Sequence, residues 1–134
     1  MTPQAEASLA RARRDIDEAR LIASLGLHQH AAPSAYYAAF HAAEALIVER
    51  TGRIAKTHRG VHTTFSRVTR DGDPKDRELW RTLPDAYRYK ELADYSIDPD
   101  AIVSALAAAT LMAAATRFVA RVTELLAVPP SGAD

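Results

Sequence analysis

The chain contains no cysteine. A disulfide framework, a thiolate metal site and a cysteine nucleophile are therefore all excluded. Glycine is scarce, with five residues in 134, and no GxGxxG, P-loop or GxSxG string occurs, so the common nucleotide loops and the nucleophile elbow are absent. No apolar run approaches the ~18 residues that a bilayer span needs; the greasiest stretch, Ala105 to Ala115, is mostly alanine and carries Thr110. The first residues lack a basic segment followed by an apolar block, so no secretory signal is visible and a cytoplasmic location is expected. Net charge is also missing: seventeen Lys and Arg balance seventeen Asp and Glu, which excludes a global field drawing in nucleic acid or membrane.

What is present is a chain that is 48% apolar and 25% charged, enough to build a core at this length without staples. The apolar pattern is helical throughout. Thr2 and Pro3 open a first helix whose Leu9, Ala12, Ile16, Ala19 and Ala23 step by three and four, and Gly26 stops it. A second helix is expected to open at Pro33-Ser34 and run from Ala35 to about Glu49, with Tyr36, Ala39, Phe40, Ala43 and Ile47 on one face and Gly52 at its exit. His28 and His30 then fall in the preceding loop. Arg59 to Thr69 reads as a third helix, ended by the turn cluster Asp71-Gly72-Asp73-Pro74. Lys75 to Leu83 reads as a short helix, with a further turn from Ala86 to Leu92 after Pro84. The last helix is expected to start with Asp98 as its cap and Pro99 in its first turn and to reach about Ala127. No alternating stretch bounded by hairpin signals occurs. The expected fold is all-α: an antiparallel bundle of four long helices plus a short one over residues 1–128, with 129–134 as a fraying tail.

Charge is uneven along the chain. Between Arg50 and Arg70 there are six basic residues and no carboxylate, whereas Asp71 to Asp100 holds nine acidic residues against five basic ones. The first block can face an anion, or the two can neutralise one another in the fold. Lys56, His58 and Arg59 lie where helix three begins, and free amides and the helix dipole favour phosphate there. The plain structural alternative pairs Lys56 or Arg59 with Asp94 and leaves His58 as a cap. His58 and His62 have the spacing of two imidazoles on one helix face, but the surrounding cations oppose a divalent ion, so no metal and no cofactor is expected. Tyr37, His41 and Glu44 share a face of helix two, as a hydrogen-bonded network or as part of a site. Arg88, Lys90, Asp94 and Tyr95 are compressed into one helix end and its exit loop, a density unusual for a mere connector.

The string Ser34 to Leu46, with Gly52, Lys56 to Val61, Phe65 and then Ala93-Asp94-Tyr95, resembles the small stand-alone prokaryotic branch of HEPN-domain proteins over nearly the whole chain. The resemblance implies a HEPN bundle acting as a homodimer, often beside a minimal nucleotidyltransferase in a two-gene toxin-antitoxin module, with RNA or a nucleotide as ligand. Many such proteins are metal-independent ribonucleases in which an arginine holds the scissile phosphate and a histidine four to six residues later moves the proton. Here Arg88 or Lys90 would be the cation, and Tyr95 stands where the histidine is wanted. Arg53 and His58 satisfy the spacing, but they precede helix three rather than the last helix. Three functions remain open from sequence: phosphate binding by Lys56, His58, Arg59, Tyr37 and His41 with a dimer face on the alanine-rich last helix; RNA cleavage across a dimer by Arg88 or Lys90 with Asp94 and Tyr95, or His58; and a structural partner without ligand.

Overall fold

A computed structural model describes residues 1–98 and 103–128. Among them there are five α-helices and no strand: α1 (Pro3–Ser24), α2 (His28–Thr51), α3 (His58–Thr69), α4 (Leu79–Tyr95) and α5 (Ala105–Ala127), with a 3-10 turn, Pro74–Glu78, leading into α4. The Thr2 side chain caps α1 by accepting from the Ala5 amide, with proline in the first turn as read from the sequence. Gly52 ends α2 in the left-handed region, at φ 71°, a conformation that costs a residue with a Cβ.

The main departure is at α2. It begins at His28, so His28 and His30 lie in its first turn and Pro33 lies inside the helix rather than opening it. The missing proline N–H would have bonded Gln29, and this loss is offset by burial of Ala31, Ala32 and Ala35. Likewise α4 runs unbroken through Pro84, where the sequence suggests two pieces. The last helix starts later than expected. Asp98 is not its cap; Ser104 is, accepting from the Ala107 amide. Pro99, assigned to that first turn, and the tail 129–134 lie outside the described residues.

Helix α2 is the central element and packs against the other four helices. Its alanines make this geometry available: Ala35, Ala38, Ala39, Ala42, Ala43 and Ala45 are fully buried, so neighbouring backbones approach closely from several sides. Bulk comes from the partners: Leu9 and Ile16 of α1, Phe65 of α3, Leu83 of α4 and Phe118 and Val122 of α5, with the Phe65 and Phe118 rings 4.8 Å apart. A polar tie closes the far side, where Arg121 of α5 grips buried Asp76 through two hydrogen bonds of 2.6 and 3.1 Å. By length and composition α5 is apolar enough to cross a membrane; its stripe of Leu111, Ala115, Phe118 and Val122 is spent on the core.

Candidate functional site

Where α2, α3 and α4 meet, the core becomes aromatic and polar. Tyr36, from the middle of α2, is fully buried, and its hydroxyl lies 2.8 Å from His58 Nδ1 and 2.9 Å from His62 Nε2. The two imidazoles reach one oxygen because they sit one turn apart at the start of α3. Thr57 fixes that start by accepting from the Gly60 amide, so Thr57 and not His58 is the cap. Rings enclose the group: Phe40 lies 5.0 Å from His58, and Tyr87 of α4 lies 5.0 Å from His58 and 5.8 Å from His62.

Enclosure sets the protonation states. Burial pushes His62 down to about 4, helped by neighbouring His58. Burial also lowers His58, with the nearby Lys90 charge as the second cause. The Tyr36 hydroxyl is raised by burial and by the tyrosines around it. At neutral pH the trio is therefore two neutral imidazoles and an intact hydroxyl.

Lys90 enters the same cluster from α4. It is only 5% exposed, its Nζ stands 3.0 Å from Asp94 Oδ2, and it faces the Tyr37, Tyr87 and Tyr95 rings at 5.8, 5.9 and 5.3 Å. Burial alone would depress this amine, but the Asp94 hydrogen bond, the neighbouring Tyr37 hydroxyl and the Asp94 charge outweigh it and leave Lys90 raised. It is a fixed cation within a tyrosine cage. Tyr37 connects it to a second polar group: the His41 ring stacks beside Tyr37, His41 Nδ1 is 2.6 Å from Glu44 Oε1, and buried Asp15 of α1 lies 3.9 Å from His41 Nε2. Burial raises Asp15 despite His41 and Arg11, and its Oδ2 has no hydrogen-bond partner.

The sequence candidates thus divide. Tyr37, His58, Lys90, Asp94 and Tyr95 converge on one cluster, and His41 adjoins it. Arg88 stands apart from Tyr36, His58 and His62: it is largely exposed, pairs with Asp85 at 3.7 Å, lines a cavity of about 550 Å³ with Arg81, Tyr89 and Ser104, and shares a second of about 590 Å³ with Glu91 and Tyr95. Asp94 pairs with Lys90, so neither Lys56 nor Arg59 closes the bundle through it. Lys56 and Arg59 instead stand exposed with Arg53, and none of the three has an ion-pair partner among the described residues. In sequence they lie around His58, between the exit of α2 and the first turn of α3.

Sequence reasoning placed Tyr36 in the apolar core and did not find Tyr87. Their hydroxyls carry no sequence signal, since helical spacing alone does not tell a buried tyrosine with partners from a packing residue. For His58 and His62 the spacing was informative, but what they share is the Tyr36 oxygen.

Comparison with known proteins agrees with this arrangement of helices. The chain is 29% identical over 127 residues to a UPF0332 protein of Gloeobacter violaceus, covering 95% of this chain and 99% of that one. It is 30% identical over 92 residues to a UPF0332 protein of Archaeoglobus fulgidus, covering 69% and 72%. The HEPN domain model matches residues 5–125, from the first turns of α1 to the end of α5, so this five-helix chain belongs to the HEPN domain family.

Proposed function

We propose that this HEPN protein binds the phosphate of RNA or of a nucleotide on the lip formed by Arg53, Lys56 and Arg59, with His58 as the polar group behind it. The observation that carries the reading is that three cations close in sequence, from the exit of α2 to the first turn of α3, are all exposed and have no ion-pair partner among the described residues. Amides at that helix start and the dipole add to the attraction. The residues from Arg50 to Arg70 include no acid, and the carboxylates that act on His58, namely Glu91 and Glu44, come from α4 and α2.

The protein works as a cytoplasmic homodimer in a toxin-antitoxin-type module with a minimal nucleotidyltransferase. Support for the dimer comes from the outward side of α5, where Leu106, Ala109, Ala113 and Ala120 are exposed. Support for the module is the family resemblance. A second reading, metal-independent RNA cleavage, has one observation in its favour: Lys90, Asp94 and Tyr95 are brought together. Against it, Arg88 pairs with Asp85 and Lys90 is committed to Asp94, although Arg88 and Tyr95 line one cavity.

One experiment addresses both. A labelled single-stranded RNA oligomer is titrated with protein in chelator at two salt concentrations, and the RNA is then run on a gel. Binding to an intact oligomer, weakened about tenfold or more with a shallower salt slope in Lys56→Ala/Arg59→Ala, supports the lip. Equal binding by the variant defeats it, and chelator-resistant cleavage lost in Lys90→Met favours the second reading.

A further inference from the structure

Tyr36 is fully buried at the centre of the site, yet phosphate binding on the lip makes no use of it. Its hydroxyl has one hydrogen and faces two imidazole nitrogens within hydrogen-bond distance. It therefore donates to one and accepts from the other. A neutral imidazole also holds one proton, on one nitrogen or the other. Two arrangements satisfy these counts. In the first, His58 Nδ1–H donates to Tyr36, Tyr36 donates to His62 Nε2, and the His62 proton is on Nδ1. In the second, His62 Nε2–H donates to Tyr36, Tyr36 donates to His58 Nδ1, and the His58 proton is on Nε2. The two histidines are always the same tautomer.

Both ends of this chain of atoms are open. Asp15 Oδ2 is the one fully buried side-chain polar atom without a partner among the described residues. His58 Nε2 and His62 Nδ1 also have no hydrogen-bond partner but are not fully buried, so each keeps some exposed surface. His58 lies at the start of α3, one residue before Arg59 and two after Lys56 in sequence, and across the fold it faces Lys90, Glu91 and Glu44.

We propose that Tyr36 couples His58 and His62 into a proton relay, open at His58 Nε2 to a hydroxyl or phosphate of the ligand on the basic lip and at His62 Nδ1 to water. This rests on the phosphate-binding reading for its ligand, not for its internal geometry. Starting from the first arrangement, a ligand hydroxyl gives its proton to His58 Nε2 and keeps the electron pair on oxygen, beside Lys56 and Arg59. The His58 Nδ1 proton passes to the Tyr36 oxygen, the Tyr36 proton passes to His62 Nε2, and the His62 Nδ1 proton leaves to water. One proton has entered and one has left. Neither imidazole ends charged, Tyr36 is a hydroxyl again, and both histidines have changed tautomer. The aromatic walls of Tyr37, Phe40 and Tyr87 suit this step, because they penalise an imidazolium and leave a neutral exchange unhindered. His58 touches the ligand; Tyr36 and His62 act through it.

Nitrogen-15 NMR of the histidine rings in the full chain tests this, since ring nitrogen shifts report the tautomer. In the free protein His58 and His62 are expected to match. Added inorganic phosphate accepts from His58 Nε2–H, so both rings are expected to move toward the Nε2–H form together. In Tyr36→Phe the His58 ring still responds and the His62 ring no longer follows. Opposite tautomers in the free wild type, or a His62 ring that stays unchanged while His58 switches, overturn the relay without needing any variant to fold. Phosphate that moves neither ring overturns the ligand end and the lip reading, while the match in the free protein still decides the coupling.

Discussion

Replacing His62 by Gln should flatten the acid side of the stability profile. In the folded protein this imidazole is held at about 4, against 6.5 when free. Between these values the unfolded chain binds a proton that the folded chain refuses, so stability is full above the unfolded value and is lost as pH falls toward 4. At ~1.4 kcal/mol per pH unit the displacement corresponds to about 3 kcal/mol, reduced to about 2 kcal/mol by the solvent-reached edge of the ring. His58 is shifted in the same direction and adds to the loss, whereas raised Asp15 opposes it because its folded state prefers the proton. Urea melts of wild type and His62→Gln at about pH 7 and about pH 4.5 isolate the His62 share, since all other groups are common to both. Wild type should lose about 1.5 kcal/mol more than the variant over that interval, which covers most but not all of the displacement. Equal losses would mean that His62 is not held neutral against Tyr36, and the description of the site would fail.

Other consequences follow from single contacts. Tyr36→Phe removes an oxygen shared by two imidazoles and should cost about 1–3 kcal/mol in denaturant melts. Arg121→Ala strands the buried Asp76 carboxylate, and a loss of about 2–4 kcal/mol is expected, largely recovered by adding Asp76→Asn. At Gly52, with φ 71° and nothing near a new Cβ, alanine should cost about 1 kcal/mol from backbone strain alone, measurable as a lower Tm with unchanged circular dichroism. Asp15→Asn removes a carboxylate whose burial outweighs its partners, so thermal stability at neutral pH should rise; a fall would show that Arg11 and His41 compensate the charge.

The helical architecture was legible because its signals are local. Thr2 with Pro3, and Gly52, do in the structure what their types require, and apolar spacing identified the buried face of α1 at Leu9, Ala12, Ile16 and Ala19. Boundaries set by tertiary packing were not legible. Pro33 and Pro84 look like breaks, yet α2 and α4 continue through them because the alanines around Pro33, and Leu83 and Ala86 around Pro84, are buried by neighbours that no local window contains. The site shows the same division. One turn of spacing put His58 with His62 and Tyr37 with His41 and Glu44, and the structure joins both sets, whereas Asp94, offered by the sequence to Lys56 or Arg59, pairs with Lys90. That the first pair meets Tyr36, twenty-two residues before His58, and that Tyr87 closes the cage, depends on how α2, α3 and α4 cross. Arg88 and Lys90 read as one candidate cluster because they are two apart, but that separation places them on different sides of a helix.

The central claim is that the phosphate-binding surface lies at the start of α3 and not along the Arg88 side of α4. The most direct measurement is an amide and side-chain chemical-shift map of the full chain during titration with a short single-stranded RNA. The largest changes are expected at residues 53–60 and the His58 ring, retained in Arg88→Ala and abolished in Lys56→Ala/Arg59→Ala. Changes centred on Arg81, Arg88 and Ser104, lost in Arg88→Ala and indifferent to the loss of Lys56 and Arg59, would contradict it.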